Sequence, residues 1–267
     1  MKSPDATVSA RQLQSDLADL GISRGVALVV HTSLKNVGWM AEGPEGVITA
    51  LRGVIGPEGT LVMPSMTSRS VLFDPKTTPT SRMGVVAETF WRMPGALRSV
   101  HPDSSFAAQG PLAEEITCTQ PLEYPEGIDG PVGKVYQLDG WVLLLGVDHD
   151  ANTTIHLGES LSNVPYRRVK TVRFLENGEE KTKDVPFIDH CCRNFVKVVP
   201  FLQREGPARI GRVGHAKAQL MKSRDVVRTV REMLQQDKLL FLCPREEACV
   251  ECDEARAYAD GVKRDLL

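Results

Sequence analysis

The sequence predicts an α/β protein, and three observations carry that expectation. Residues 26–31 read VALVVH, apolar on both faces as an interior strand is, and a polar turn follows at 32–35. Residues 47–64 repeat the plan as an apolar helix, a GPEG turn and a second apolar strand. Residues 141–147, WVLLLGV, form another buried run, and the polar stretch DHDANTTIHLGE at 148–159 follows it directly. Alternation of this kind builds layered α/β architecture, and 267 residues with 42% apolar content can bury a full core.

Taken in order, Ser9 and Gln12 have capping-box spacing, and Leu13, Leu17 and Leu20 mark one helical face that Gly21 ends. After the strand at 26–31 come a helix at 47–55, a strand at 60–64 and a loop at 65–70. A helix at 83–93 stops at Pro94-Gly95, an extended piece spans 97–101, and a short helix covers 112–119. Residues 121–131, rich in proline, glycine and acids, read as an irregular surface loop of the kind that serves as a lid. Asn177-Gly178 between alternating segments predicts a β-hairpin over about 168–187, inserted beside the sheet. Helices at 189–204 and 223–235 and a last strand at 239–242 complete the chain, with no internal repeat, as one unit over 1–267.

Chemistry is expected at 148–159, because open α/β sheets place ligands at the carboxyl ends of their strands. His156 and Glu159 stand three residues apart on a helix, so imidazole and carboxylate share a face. A histidine oriented by a carboxylate is a general base. The competing structural role is a helix cap with a solvated acid. Similar structural roles compete elsewhere: strand termination for Thr32 and Ser33, an N-cap for Asp189, and packing or turn positions for His101, His149 and His215.

The formal net charge of -2 lacks the basic excess of a nucleic-acid-binding surface. No apolar run has the length of a membrane span, and MKSPDATVSARQ lacks the apolar core of a signal peptide, so a cytoplasmic location is expected. The six cysteines are then expected to be reduced. Cys249 and Cys252 have C-x-x-C spacing, and Cys191 with Cys192 could in principle complete a structural zinc site, but adjacent cysteines seldom both ligate one metal, so plain buried or surface thiols are the leading expectation and zinc is the alternative.

DHDANTTIHLGE, together with VVHTSLKNVGW, GTLVMPSMT, FWRMPGALRSVHPDSSFAAQGP, FIDHCC and CVECDEAR in that family's order, resembles the aminoglycoside 3-N-acetyltransferases of the antibiotic acetyltransferase family, in particular the apramycin- and gentamicin-modifying branch. The resemblance runs from about Leu13 to Arg256. It implies a three-layer α/β/α fold with a mixed central sheet. It also implies direct transfer of acetyl from acetyl-coenzyme A to the 3-amino group of 2-deoxystreptamine antibiotics of the apramycin, gentamicin and tobramycin type, hence resistance. By the same resemblance, Thr154, His156 and Glu159 match T-x-H-x-x-E, with His156 as base and Glu159 as its orienting partner or a substrate contact. His31, Thr32, Ser33, Leu34 and Lys35 would lie against the coenzyme, with Ser99 and Val100 beside its pantetheine arm. Asp189 would contact the aminoglycoside. A polycationic substrate further calls for an acidic cleft, for which Asp148, Asp150, Glu159 and Asp189, with Asp74 and Glu88, are available; backbone N–H groups or the hydroxyl of Thr154 or Ser33 are available to an oxyanion.

Other chemistries compete with this one. Asp148, His149, Asp150, His156, Asp189 and His190 are a ligand set for a metal-dependent hydrolase. Cys191 and Cys192 beside His190 suit a ping-pong acyltransferase, and the acceptor is open to being another amine. A non-enzymatic binding protein is the last alternative. The chain is expected to act as a monomer or homodimer on small molecules.

Overall fold

The computed structural model describes residues 7–204 and 208–261. Its strands, in chain order, are β1 (Ala27–Thr32), β2 (Thr60–Pro64), β3 (Leu97–Arg98), β4 (Phe106–Gln109), β5 (Trp141–Leu145), β6 (Arg168–Glu176), β7 (Glu179–Phe187), β8 (Arg209–Val213) and β9 (Ala216–Lys222). The helices are α1 (Ala10–Asp19), α2 (Leu34–Val37), α3 (Gly43–Ile55), α4 (Gly84–Trp91), α5 (Ala113–Thr117), α6 (Pro131–Gln137), α7 (Thr154–Leu161), α8 (Val199–Arg204), α9 (Ser223–Gln236) and α10 (Val250–Ala259). Among the described residues, seven strands form one mixed sheet in the order β3-β4-β2-β1-β5-β9-β8. The three most apolar runs take its middle: β1 lies between β2 and β5 and is parallel to both, while antiparallel pairs close each side.

Side-chain alternation along these strands produces three layers. Leu28, Val30, Leu61, Met63, Leu143 and Leu145 face Leu13 and Leu17 of α1 and Ile48 and Leu51 of α3. The alternate residues point the other way. Val29 and Val62 meet Val132 and Val135 of α6 and Leu157 of α7, and Val142 and Leu144 meet Ile155 of α7 and Val230 and Leu234 of α9. Burying each such side chain contributes about 1.5–3 kcal/mol relative to exposure, so the sheet and both helical layers are mutually required. Ser9 caps α1, accepting from Gln12 N–H at 3.1 Å, but the Gln12 amide turns to Asp16 rather than closing the box. No helix among the described residues is long and apolar enough to cross a membrane.

β6 and β7 form a separate two-stranded sheet. Asn177 and Gly178 both adopt positive φ, 55° and 83°, which a two-residue hairpin turn twisted to match its strands requires. Val172, Phe174, Val185 and Phe187 on one face pack with Phe73 from the loop after β2.

Three expectations need correction, and two strands were not anticipated. Residues 239–242 are no strand: Leu242 N–H turns back to Leu239 C=O, and Phe241 and Leu242 plug the core between α9 and α10. The outer strands β8 and β9 are not evident in the sequence because β8 reads RIGRV, charged at a sheet edge. Over the helix expected at 189–204, Arg193–Val198 form a 3-10 helix and only α8, Val199–Arg204, is α-helical; the left-handed backbone of Cys192, φ 58°, keeps 189–192 out of both. The segment 121–131 lies only partly over the surface: Glu123, Tyr124 and Asp129 are exposed, but Pro125, Glu126 and Gly127 are buried.

Candidate active site

β1 and β5 are parallel neighbours whose connections leave to opposite sides of the sheet, so their carboxyl ends part to form a crevice. A cavity of about 530 Å³ opens there. His31 and Thr32 from the end of β1, Met66 from the loop after β2, Asp150 and His156 from the segment after β5, and Lys170 and Phe187 from the hairpin all line it.

The centre of the site is a carboxylate. Glu159, fully buried on α7, is held by three donors. The His156 Nδ1–H donates to Oε2 at 2.6 Å, the His190 Nε2–H donates to Oε1 at 2.9 Å, and the Tyr166 hydroxyl donates to Oε1 as well. Burial alone raises a carboxyl pKa, but the two imidazoles and their hydrogen bonds outweigh it and hold Glu159 well below the usual range. Burial and the neighbouring carboxylate push the Tyr166 phenol up, so it remains a donor. His190 Nδ1 accepts the Cys192 backbone N–H at 3.1 Å, which assigns its proton to Nε2 and keeps it pointed at Glu159. Burial opposes the charging of His190, but Glu159 and the neighbouring thiols outweigh it and draw its pKa upward; a second proton would have to displace that backbone bond.

His156 differs from His190 in reaching the cavity. With Nδ1–H committed to Glu159, its Nε2 faces outward, 3.5 Å from the Cys192 Sγ. Burial opposes its charging, but Cys192 and Glu159 prevail and raise its pKa well above the ordinary value. Phe195 stacks edge-on against both rings and fixes their orientation. Asn152 prepares the helix that carries this pair: its Oδ1 accepts the Thr154 N–H at 3.1 Å, satisfying a donor at the start of α7.

The other expected residues fall into distinct groups. His31 is buried and held neutral, its pKa pushed down to about 3 by burial and His149, with Nε2 3.3 Å from the Thr153 hydroxyl. The Thr32 hydroxyl oxygen is buried and has no partner among the described residues, and Thr32 as a residue lines the cavity. Ser33 donates its N–H to Leu145 C=O at 3.0 Å and starts α2, and Leu34 packs on the core; neither they nor exposed Lys35 line the cavity. Ser99 is buried, donating to Gln120 and accepting the Phe106 N–H, while Val100 is exposed away from the cavity. His101 accepts the Ser104 N–H at 2.8 Å and His149 is buried beside Asn152, the packing roles expected of them.

The acidic cleft is only partly as expected. Asp150 lines the cavity, but Asp148 caps the turn at His149 and bonds Gln219, and buried Thr154 leaves its hydroxyl unpartnered outside it. Asp74 caps the turn at Lys76, and Glu88 is spent on Thr80, Trp91 and Arg92. Asp189 lines the cavity as expected but caps no helix: it faces Arg168 at 2.6 Å and Lys170 at 3.1 Å, and Lys170 also holds Asp103 at 2.9 Å. Glu126, from the buried loop, lines the cavity as well, its pKa raised by burial. The partners were hidden because His190 and Glu126 come from other segments of the chain, and Tyr166, seven residues past Glu159, reaches it only by the chain turning back after α7.

Among the described residues, the two groups whose ligand atoms converge are His156, Glu159 and His190, and the thiols of Cys191, Cys243, Cys249 and Cys252. The six-residue hydrolase set is thus not assembled as expected, and Cys243 stands where Cys192 was expected in the thiol cluster.

A sequence model of the aminoglycoside 3-N-acetyltransferases matches residues 29–235. The chain is 45% identical to aminoglycoside N(3)-acetyltransferase IV of Salmonella sp. over 238 residues, 88% of this chain and 90% of that protein. The structure matches the acetyltransferase AAC(3)-IVa, solved as a histidine-to-alanine variant with a gentamicin, at a TM-score of 0.90 and 43% identity, covering 97% of this chain and 99% of that one. It also matches AAC-IIIb, solved as a binary complex with CoASH, at a TM-score of 0.79 and 27% identity over 86% of this chain and 97% of the other. A cavity at the β1–β5 crevice, a carboxylate-held histidine opening on it and this agreement across nearly the whole length lead to one assignment: the chain belongs to the aminoglycoside 3-N-acetyltransferase family.

Proposed function

We propose that this protein transfers the acetyl group of acetyl-coenzyme A to the 3-amino group of 2-deoxystreptamine aminoglycosides of the gentamicin, apramycin and tobramycin type, and so confers resistance to them. The observation that carries this reading is His156, whose Nδ1–H is held by buried Glu159 while its Nε2 faces the cavity. An aminoglycoside ammonium must lose a proton before it attacks, and a carboxylate-oriented imidazole takes that proton and stabilises the resulting imidazolium. With that proton on His156 Nε2, the amine attacks; as the new N–C bond forms and the thioester C–S bond breaks, the sulfur leaves with the electron pair and takes up the second proton that the nitrogen sheds, and His156 returns its own to solvent.

Acetyl-coenzyme A supplies the activated acetyl group. Its fit rests on the orphaned Thr32 hydroxyl, which needs a partner, and on the exposed guanidinium groups of Arg69 and Arg82 on the cavity wall, which suit phosphate. Asp150, Glu126 and Glu251 on the same cavity wall suit the ammonium groups of the acceptor. Asp189 stands on the same wall with its charge matched by Arg168 and Lys170, whereas Asp148, off the wall, is bonded to the His149 N–H and Gln219.

Cys192 motivates a second reading. Its Sγ stands 3.5 Å from the His156 Nε2, so Cys192, His156 and Glu159 have the order of nucleophile, base and orienting acid. In that case Cys192 would take the acetyl group from the coenzyme as a thioester and pass it to the amine. One assay addresses both readings: thiol release from acetyl-coenzyme A with gentamicin and with apramycin. His156→Ala is expected to lower turnover by about 10²- to 10⁴-fold with unchanged circular dichroism, and Cys192→Ala to retain transfer. Loss of activity in Cys192→Ala with an intact fold selects the covalent route; no thiol release by the native chain with any aminoglycoside defeats the acceptor assignment.

A further inference from the structure

Four thiols that have no role in acetyl transfer converge on the far side of the turn that carries His190 and Cys192. The sulfurs of Cys191, Cys243, Cys249 and Cys252 all lie within 4.8 Å of one another, and all four are reduced. Cys191 Sγ stands 3.3 Å from Cys243 Sγ and 3.7 Å from Cys252 Sγ, so one sulfur serves two neighbours at once, the arrangement of a cluster rather than of a pair. Zinc–sulfur bonds of about 2.3 Å in a tetrahedron place sulfurs roughly 3.8 Å apart, which these separations approach. We propose that Cys191, Cys243, Cys249 and Cys252 bind one zinc ion as a closed tetrathiolate site that fixes the catalytic turn to the C-terminal helix.

Local structure is arranged for it. Cys249 is the N-cap of α10 and Cys252 lies in its first turn, so the C-x-x-C pair presents both sulfurs from one helix start. Cys243 comes from the plug that ends at Pro244. Left-handed backbone at Cys192, with φ 58°, sends adjacent side chains to opposite sides: Cys191 into the cluster and Cys192 to His156. Cys243 and Cys252 are almost fully buried, as in a structural site with no open coordination position. Four thiolates around a divalent ion carry a net negative charge, and buried Arg256 lies alongside, its guanidinium donating to the Cys243 C=O at 2.5 Å. Soft sulfur donors in tetrahedral array select zinc over hard cations, and zinc adds no redox chemistry to a site beside thiols.

The functional consequence follows from what the ion would tie together. The residue after Cys191 contacts His156, the residue before it donates to Glu159, and α10 also supplies Glu254, which pairs with Arg168 at 2.8 Å on the cavity wall. Zinc thereby anchors the carboxylate's second imidazole from outside the cavity.

The test is metal analysis of the purified full chain, prepared under reducing conditions without added metal. About one zinc per chain is expected, released in step with four thiols when an organomercurial blocks them, and Cys118→Ala, at an exposed cysteine, leaves that content unchanged. Cys243→Ser is expected to lower zinc content at least ten-fold; if it fails to fold, the native chain stripped of metal is given cobalt(II), and the intense visible bands of tetrahedral cobalt thiolate are expected. Zinc below a tenth of an equivalent together with no cobalt thiolate spectrum overturns the proposal, as does iron in the site or a disulfide within the quartet.

Discussion

Glu159 is the residue on which the site turns, because a buried carboxylate with three donors can lose none of them cheaply. Removing a partner from a buried charge costs about 1.5–3 kcal/mol, so Tyr166 and His190 hold the carboxylate in place while His156 uses its charge. The sign of the pH dependence follows. His156 is faced by Glu159 from its own helix, Glu126 from the buried loop, and Asp189, His190 and Cys192 from the turn after β7; the net effect raises its pKa. Only the neutral imidazole accepts a proton, and it is present above that pKa, so kcat/KM for acetyl transfer is expected to climb with pH through neutrality into the alkaline range. Glu159→Gln removes the charge that favours imidazolium, and the rising limb is expected to move to lower pH. The plateau is expected to fall on the order of 10²-fold, because a side-chain NH2 facing His156 selects the tautomer with the proton on Nε2, where the base must be free. A rate profile in which Glu159→Gln keeps both the limb and the plateau of the native enzyme would remove Glu159 from the mechanism.

At the scale of elements, α7 must sit close to α9 for the pair to reach its partners. Gly158, between His156 and Glu159, is where they approach: a Cβ there would lie 2.4 Å from Val230 Cγ1 and 2.6 Å from its Cβ. Alanine gains about 1 kcal/mol of helix propensity over glycine, whereas overpacking costs about 1–3 kcal/mol, so Gly158→Ala is expected to lose stability and to reduce kcat by moving α7 against His190 and Tyr166. Urea unfolding reads the first effect; a gain of the full helix propensity would mean that α9 yields and the approach is not tight. The parallel core was legible in the sequence because β1, β2 and β5 are continuous apolar runs, and so was the His156–Glu159 pair, because three residues of helix place two side chains together. β8 and β9 were not, since a charged edge strand hides its alternation. Tyr166 and His190 were not either, because periodicity says nothing about which segments fold back onto a carboxylate. The hairpin lies between these cases: Asn177-Gly178 announced its turn, but only its register shows that Arg168 and Lys170 stand at the cavity and occupy Asp189.

For the whole molecule, a formal net charge of -2 gives little long-range attraction for a polycation, so binding of an aminoglycoside has to rest on charges at the cavity itself. Two of the available acids, Asp103 and Asp189, are already matched by Lys170 and Arg168. Asp150 and Glu251 remain on the wall, both exposed, and exposed ion pairs are worth about 0.2–1 kcal/mol and are screened within about 10 Å at 0.1 M salt. It follows that KM for gentamicin should rise with ionic strength, by up to about five-fold for each exposed ion pair that salt screens out, while kcat, set by the buried His156–Glu159 pair, stays nearly constant. Asp150→Asn is expected to raise KM at low salt and to flatten its salt dependence without altering the pH profile of kcat. Steady-state kinetics across a salt series checks this. A salt effect carried by kcat, or a native slope retained in Asp150→Asn, would place the recognising charges away from the segment after β5 and return Asp103 and Asp189 to the substrate, which would then have to displace Lys170 as it binds.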